Sequence, residues 1–179
     1  LKETIKKYNK AVILVADEPA ISTYLAMWYN LSKARNKAIL KWNNLKNRTK
    51  KVILSLWLSD ENIIIVDWEE EIKNNKDYLV NFEKINTLYV NNLKFRESVN
   101  NTSKEVLVNS WKDISDEDIK KATYYLLSEI AFLEFSVKHF WVEKVWYVYH
   151  KNWRVFDDYI AWIFDNKIKL NLDFILLEN

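Results

Sequence analysis

The segment Val12–Lys51, VILVADEPAISTYLAMWYNLSKARNKAILKWNNLKNRTKK, decides how the chain is read. From Ala11 to Pro19 an apolar run ends in Asp-Glu-Pro, the pattern of a buried strand followed by a helix-entry turn. Ile21–Tyr29 carries a short helical pattern, and Ser32 is placed to cap a longer helix. Along that helix Ala34, Ala38 and Leu45 lie on one side. Lys33, Lys37, Lys41, Arg48 and Lys51 fall on another, within roughly 80° of each other at about 100° per residue. No acidic residue occurs between Leu31 and Lys51.

Outward from this segment, strands and helices alternate. Val52–Leu58, VILSLWL, fits either a strand or a helix. Asn62–Trp68, NIIIVDW, reads as a second strand, and Glu69–Val99 as one or two amphipathic helices. Asp116–Phe135 is a strong helix: Ser115 can cap it, and Asp116, Glu117 and Asp118 suit its positive end. Lys144–His150 alternates and is aromatic, as a strand does. Phe156–Asn166 reads as a short helix and Leu170–Leu177 as a last strand. The alternation predicts an α/β domain with a largely parallel sheet. The length of 179 residues predicts a single domain over residues 1–179, with no repeat and no linker.

Composition removes several classes of function. Basic and acidic residues number 27 and 25, so no global nucleic-acid field exists and any basic patch is local. Without cysteine there is neither a disulfide framework nor a cysteine zinc site. The two histidines, His139 and His150, are too scattered to predict a metal site. There is no P-loop, and without glycine no Gly-rich dinucleotide fingerprint can exist. No apolar run reaches membrane-span length and no signal peptide is visible, which makes a cytoplasmic protein the expectation.

The anomaly is glycine. Usual abundance, about 7%, predicts roughly a dozen. The chain has none, and it has nine tryptophans. Positions that need positive φ cannot all be supplied by asparagine.

Three features carry possible chemistry. The basic helix suits phosphate-backbone binding, its alternative being a merely solvated face. Tyr125 and Glu129, four residues apart, share a helix face, and a carboxylate beside a phenol can bind an amine or move a proton. An ordinary surface glutamate beside a core tyrosine is the plainer reading. Tyr149 and His150 end a strand, where open α/β sheets hold their ligands, or else belong to an aromatic strand with a structural histidine.

Together these residues resemble the cyclodipeptide synthases. That family has a helix with Tyr-x-x-x-Glu, matched by Tyr125 and Glu129, and a strand ending in Tyr-His, matched by Tyr149 and His150. The spacing of twenty residues from Glu129 to Tyr149 is the family's. The strand, acidic turn, short helix and basic helix of Val12–Lys51 look like a further family unit. The resemblance covers nearly the whole chain and is weaker from Asp67 to Asp113.

The resemblance implies a Rossmann-like domain similar to the catalytic domains of class I tyrosyl- and tryptophanyl-tRNA synthetases. It implies a bacterial aminoacyltransferase of secondary metabolism that joins the aminoacyl groups of two aminoacyl-tRNAs into a diketopiperazine, without ATP, metal or cofactor. Tyr125 and Glu129 would hold the α-amino group, Tyr149 would assist proton transfer and His150 would support the pocket. Lys33, Arg35, Lys37, Lys41, Lys46, Arg48, Lys50 and Lys51 would contact tRNA phosphates. The family's serine nucleophile follows an earlier strand than the one at Ala11, and Ser22, Ser32 and Ser55 do not match it. The resemblance therefore implies an N-terminally truncated chain that lacks its first strand and nucleophile and is inactive as it stands. The family also carries glycine where this chain has Trp28 and Trp42, and glycine is expected at Trp57, Trp141 and Trp162. A UGA codon read as tryptophan in a gene that uses it for glycine would produce this pattern. Two other readings remain open at this level: a tRNA- or RNA-binding module that has lost its chemistry, and a structural or protein-interaction domain.

Overall fold

The computed structural model describes residues 7, 11–15, 17–58, 63–108, 113–140, 145–149, 153–161, 163–164 and 172–176. It divides into two compact units, Leu1–Asn75 and Lys76–Asn179.

In the first unit, strand β1 (Ala11–Val15) leads into helix α1 (Asp17–Ala26) and then the long helix α2 (Leu31–Ser55). Strand β2 (Ile63–Asp67) follows and pairs with β1 in parallel, Ala11 opposite Ile63 and Val15 opposite Asp67. Parallel pairing requires a crossover, and α1 with α2 supplies it. Ala11, Ile53 and Ile63 form a buried cluster, with Ile13, Leu58 and Ile65 packed against it. The end of α2 is thereby tied to the strand pair. A single π-helical turn, Trp68–Ile72, closes the unit, with Asp67 as its cap: the Asp67 carboxylate accepts from the Glu70 N–H at 3.2 Å.

Two sequence expectations change here. The cap of α2 is Asn30, whose side chain accepts from the Lys33 N–H at 2.9 Å, while Ser32 lies inside the helix. Either residue suits a cap; Asn30 has the extended backbone that the position requires, φ −67° and ψ 162°. The ambiguous Val52–Leu58 continues α2 to Ser55 rather than forming a strand, because Ile53 keeps the helical spacing of the buried stripe Ala34, Ala38 and Trp42.

In the second unit, α3 (Lys76–Asn91) and α4 (Leu93–Leu107) both pack against α5 (Asp116–His139). Strand β3 (Val145–Tyr149), α6 (Arg154–Ile160) and β4 (Leu172–Leu176) complete the order. β3 and β4 are parallel, Val145 opposite Leu172 and Tyr149 opposite Leu176. Every residue of α5 from Leu126 to Ser136 is buried. Aromatic rings fill the interior, with Tyr78 edge-on to Phe135 at 6.1 Å and Phe95 edge-on to Phe164 at 5.1 Å. The start of α5 carries a reciprocal capping box between Ser115 and Asp118. α6 is shorter than the expected Phe156–Asn166 and begins two residues earlier.

Among the described residues no helix is long and apolar enough to cross a membrane. Among them, too, no cluster of histidine and carboxylate side chains could hold a metal ion.

Candidate active site

Tyr125 and Glu129 stand one turn apart on α5. Tyr125 is half-buried and Glu129 is 8% exposed. The helix therefore carries this carboxylate into the protein interior. Tyr149 is the last residue of β3, in the second unit with both of them. His150 lies outside the described residues.

The basic helix is almost entirely open. Lys33, Arg35, Lys37, Lys41, Arg48, Lys50 and Lys51 are all exposed, and Lys46 is half-buried. Among the described residues none of these cations is paired with a carboxylate. Lys33, Lys37, Lys41, Arg48 and Lys51 form the common stripe. Arg35 and Lys46 fall on the side that carries Ala34, Ala38 and Trp42, so the helix does not gather all eight cations on one face. Two ammonium groups rest on rings: Lys37 Nζ is 4.7 Å from the Tyr29 centroid and Lys46 Nζ 5.0 Å from that of Trp42. Such contacts hold a lysine in place without neutralising it.

The serines singled out in the sequence are occupied locally. The Ser22 hydroxyl donates to the Pro19 carbonyl at 2.7 Å and that of Ser55 to the Val52 carbonyl at 2.9 Å. Ser32 is exposed on the first turn of α2.

A second buried carboxylate was not foreseen. Glu134 on α5 is 4% exposed and accepts a hydrogen bond from the hydroxyl of Tyr159 on α6, which is 1% exposed. Burial pushes the Glu134 carboxyl above its ordinary range, against the opposing pull of the tyrosine hydrogen bond and of Lys84 and Lys138. Burial also raises the Tyr159 hydroxyl, assisted by the Glu134 charge, so the phenol keeps its proton and donates. The partners are 25 residues apart and follow no periodic pattern. The only sequence signal was a glutamate inside an otherwise apolar helix stretch.

The two units thus present a parallel α/β architecture of Rossmann-like type, an open basic helix and an enclosed helix with a Tyr-x-x-x-Glu face. The sequence profile of the family described as cyclodipeptide synthase matches residues 4–171, and the chain belongs to that family. A search of curated proteins finds no match. Among solved structures, the cyclodipeptide synthase of Staphylococcus haemolyticus is similar with a TM-score of 0.81 and 21% identity, over 99% of this chain and 80% of that one. That of Bacillus thermoamylovorans gives 0.78 and 20%, over 97% and 76%. A Mycobacterium tuberculosis protein gives 0.73 and 12%, over 95% and 72%; its description relates cyclodipeptide synthetases to type I tRNA synthetases.

Proposed function

We propose that the chain serves tRNA-dependent cyclodipeptide synthesis in the cytoplasm, taking two aminoacyl-tRNAs as substrates. The observation that carries this reading is the interior carboxylate Glu129 one helical turn from Tyr125, in a chain of this family. Glu129 binds the α-ammonium of the aminoacyl group, with Tyr125 beside it, and later accepts its proton. Tyr149 and His150 serve the same pocket from the end of β3. The α2 cations bind tRNA phosphates.

The chemistry is a series of acyl transfers. In the family's reaction the nucleophilic serine, which none of Ser22, Ser32 and Ser55 matches, attacks the aminoacyl ester carbonyl, the bond to the tRNA ribose breaks, and the ribose hydroxyl takes the proton. The amine of the serine-bound residue then attacks the second aminoacyl ester, releasing the second tRNA. The new terminal amine attacks the serine ester, closing the diketopiperazine and regenerating the hydroxyl. The esters are already activated, so the sequence needs no ATP.

That none of Ser22, Ser32 and Ser55 matches the family's nucleophile leaves a second reading, an RNA-binding module without turnover. One binding experiment separates the two. Synthase chemistry predicts that the chain prefers aminoacyl-tRNA to the uncharged form, and that Glu129→Gln lowers this preference about tenfold or more, as loss of a charged hydrogen bond does. Equal affinity for both forms, unchanged in Glu129→Gln, would establish the module instead.

A further inference from the structure

Among the described residues two have a left-handed backbone, and both are tryptophan: Trp28 with φ 61° and Trp57 with φ 53°. Their hydrogen bonds share one pattern. At the end of α1 the Trp28 N–H donates to Leu25 O at 3.0 Å and the Tyr29 N–H to Tyr24 O at 3.1 Å. At the end of α2 the Trp57 N–H donates to Leu54 O and the Leu58 N–H to Ile53 O, both at 3.2 Å. Each is a complete Schellman motif with tryptophan at the position after the cap. The apolar contact that accompanies the motif is also present twice, as Tyr24 edge-on to Tyr29 at 6.1 Å and as Leu58 packed with Ile53. A bulky Cβ substituent is strained there, and glycine is not. Burial does not explain the choice, since Trp57 is 95% exposed. The caps of α5 and α6, Phe140 and Ala161, are also followed in sequence by tryptophans, Trp141 and Trp162, which lie outside the described residues.

We propose that positions 28 and 57 are glycine positions, occupied by tryptophan through UGA codons read in the wrong genetic code. Trp42, Trp68 and Trp153 are different: all three are buried and none has positive φ, so the glycine expected at Trp42 from the family resemblance has no support in its backbone conformation. Thermal unfolding of the whole chain tests the assignment. Trp57→Gly raises Tm by about 2–4 °C, Trp28→Gly raises it less because Trp28 is partly covered, and Trp68→Gly lowers it. A Tm unchanged or lowered in Trp57→Gly overturns the proposal. The gene decides even where the expressed chain fails to fold: UGA at both codons is the expected result, and UGG at either overturns it.

An independent observation concerns Glu134 and Tyr159. Their hydrogen bond joins α6 to α5, the helix of Glu129. The neighbouring Asp158 accepts from the Ser98 hydroxyl on α4 at 3.3 Å, and Asn92 Nδ2 donates to Phe164 O at 3.3 Å. The Tyr159 ring lies 5.9 Å from that of Phe95. α6 is thus docked on two helices. From Tyr149 to Trp153, the residue before α6, the chain spans at most about 14 Å. While α6 is docked, the end of β3 is therefore confined to within that distance of Trp153.

We infer that Tyr159 and Glu134 are positioning residues, which limit how far Tyr149 can move from Glu129; this rests on the proposed roles of Tyr149 and Glu129. In Tyr159→Phe, amide hydrogen exchange across residues 145–153 rises about tenfold, while α5 stays protected. Preference for aminoacyl-tRNA falls, but affinity for uncharged tRNA holds. Glu134→Gln keeps a carbonyl to accept the tyrosine proton and preserves both properties. Unchanged exchange at 145–153 in Tyr159→Phe overturns the inference. If the unmodified chain shows no aminoacyl preference, the functional reading fails, and the exchange result still decides the positioning role.

Discussion

Helices α2 and α5 are nearly equal in length, 25 and 24 residues, and opposite in use. α2 has four buried residues, Ala34, Ala38, Trp42 and Ile53, a stripe just wide enough to hold it to its unit. α5 has fourteen, so little of its surface is free to meet anything outside the protein. Length and helix-forming composition do not separate them; the distribution of charge does. A helix without an acid over its first five turns repels itself unless it faces water or an anion. A helix whose middle is apolar on every side demands enclosure, and any carboxylate left within it must be bound or used.

The largest effect should come from the enclosed helix. Phe135 is 1% exposed and lies among the rings of Tyr78, Phe132, His139 and Phe140. Phe135→Ala should cost about 3–5 kcal/mol in chemical denaturation. Leu40 on α2 is 63% exposed, and Leu40→Ala should stay within about 0.5 kcal/mol. Equal losses at the two sites would break the contrast.

The contrast sharpens in binding. Lys37, Lys41 and Arg48 lie on one exposed stripe. Replacing all three with alanine should leave Tm nearly unchanged, weaken tRNA binding, and reduce the slope of log affinity against log salt by about 3. An unchanged slope would reduce the stripe to a solvated face.

The sequence made this division partly legible. Strand identity and parallel order followed from the alternation around Val12–Lys51, and Ser115 announced the start of α5 because capping is local chemistry. The Tyr125–Glu129 face was readable for the same reason, a spacing of one turn. Tertiary packing was not readable. Val52–Ser55 became helix because Ile53 reaches the β1–β2 cluster, a contact with the strand pair. The Glu134–Tyr159 bond joins residues from separate elements. Arg35 and Lys46 already lay off the stripe at about 100° per residue, and only the family resemblance counted them among the phosphate contacts.

A smaller effect tests the interior charge. Burial raises the Glu134 carboxyl above its unfolded value. Its protonated form is therefore favoured by folding: the stabilising contribution is full below the unfolded value and is lost as pH rises through the folded one. Glu134→Gln, which cannot ionise, should unfold with less loss of stability on going from acid to neutral pH. Lys41 on α2 is exposed, and Lys41→Gln should leave that pH profile unchanged. Parallel profiles for Glu134→Gln and the unmodified chain would show that the carboxyl ionises as it does in water.

The smallest difference lies at the two caps. On α2, Asn30 offers one acceptor to one backbone N–H, and the helix beyond it is solvated. On α5, Ser115 accepts from the Asp118 N–H at 3.2 Å, its own N–H donates to Asp118 Oδ2 at 3.2 Å, and its hydroxyl donates to the same oxygen at 2.6 Å. Asp118 is buried, with Lys121 Nζ 3.9 Å away. Asn30→Ala should cost about 1 kcal/mol, mostly as fraying that water repairs. Ser115→Ala should approach about 2 kcal/mol, because it also withdraws a donor from a buried carboxylate. Ser115→Thr should recover most of that loss, since a threonine hydroxyl can make the same bonds. If Ser115→Ala and Asn30→Ala cost the same, Asp118 finds another donor, and the enclosure of α5 does not extend to its first turn.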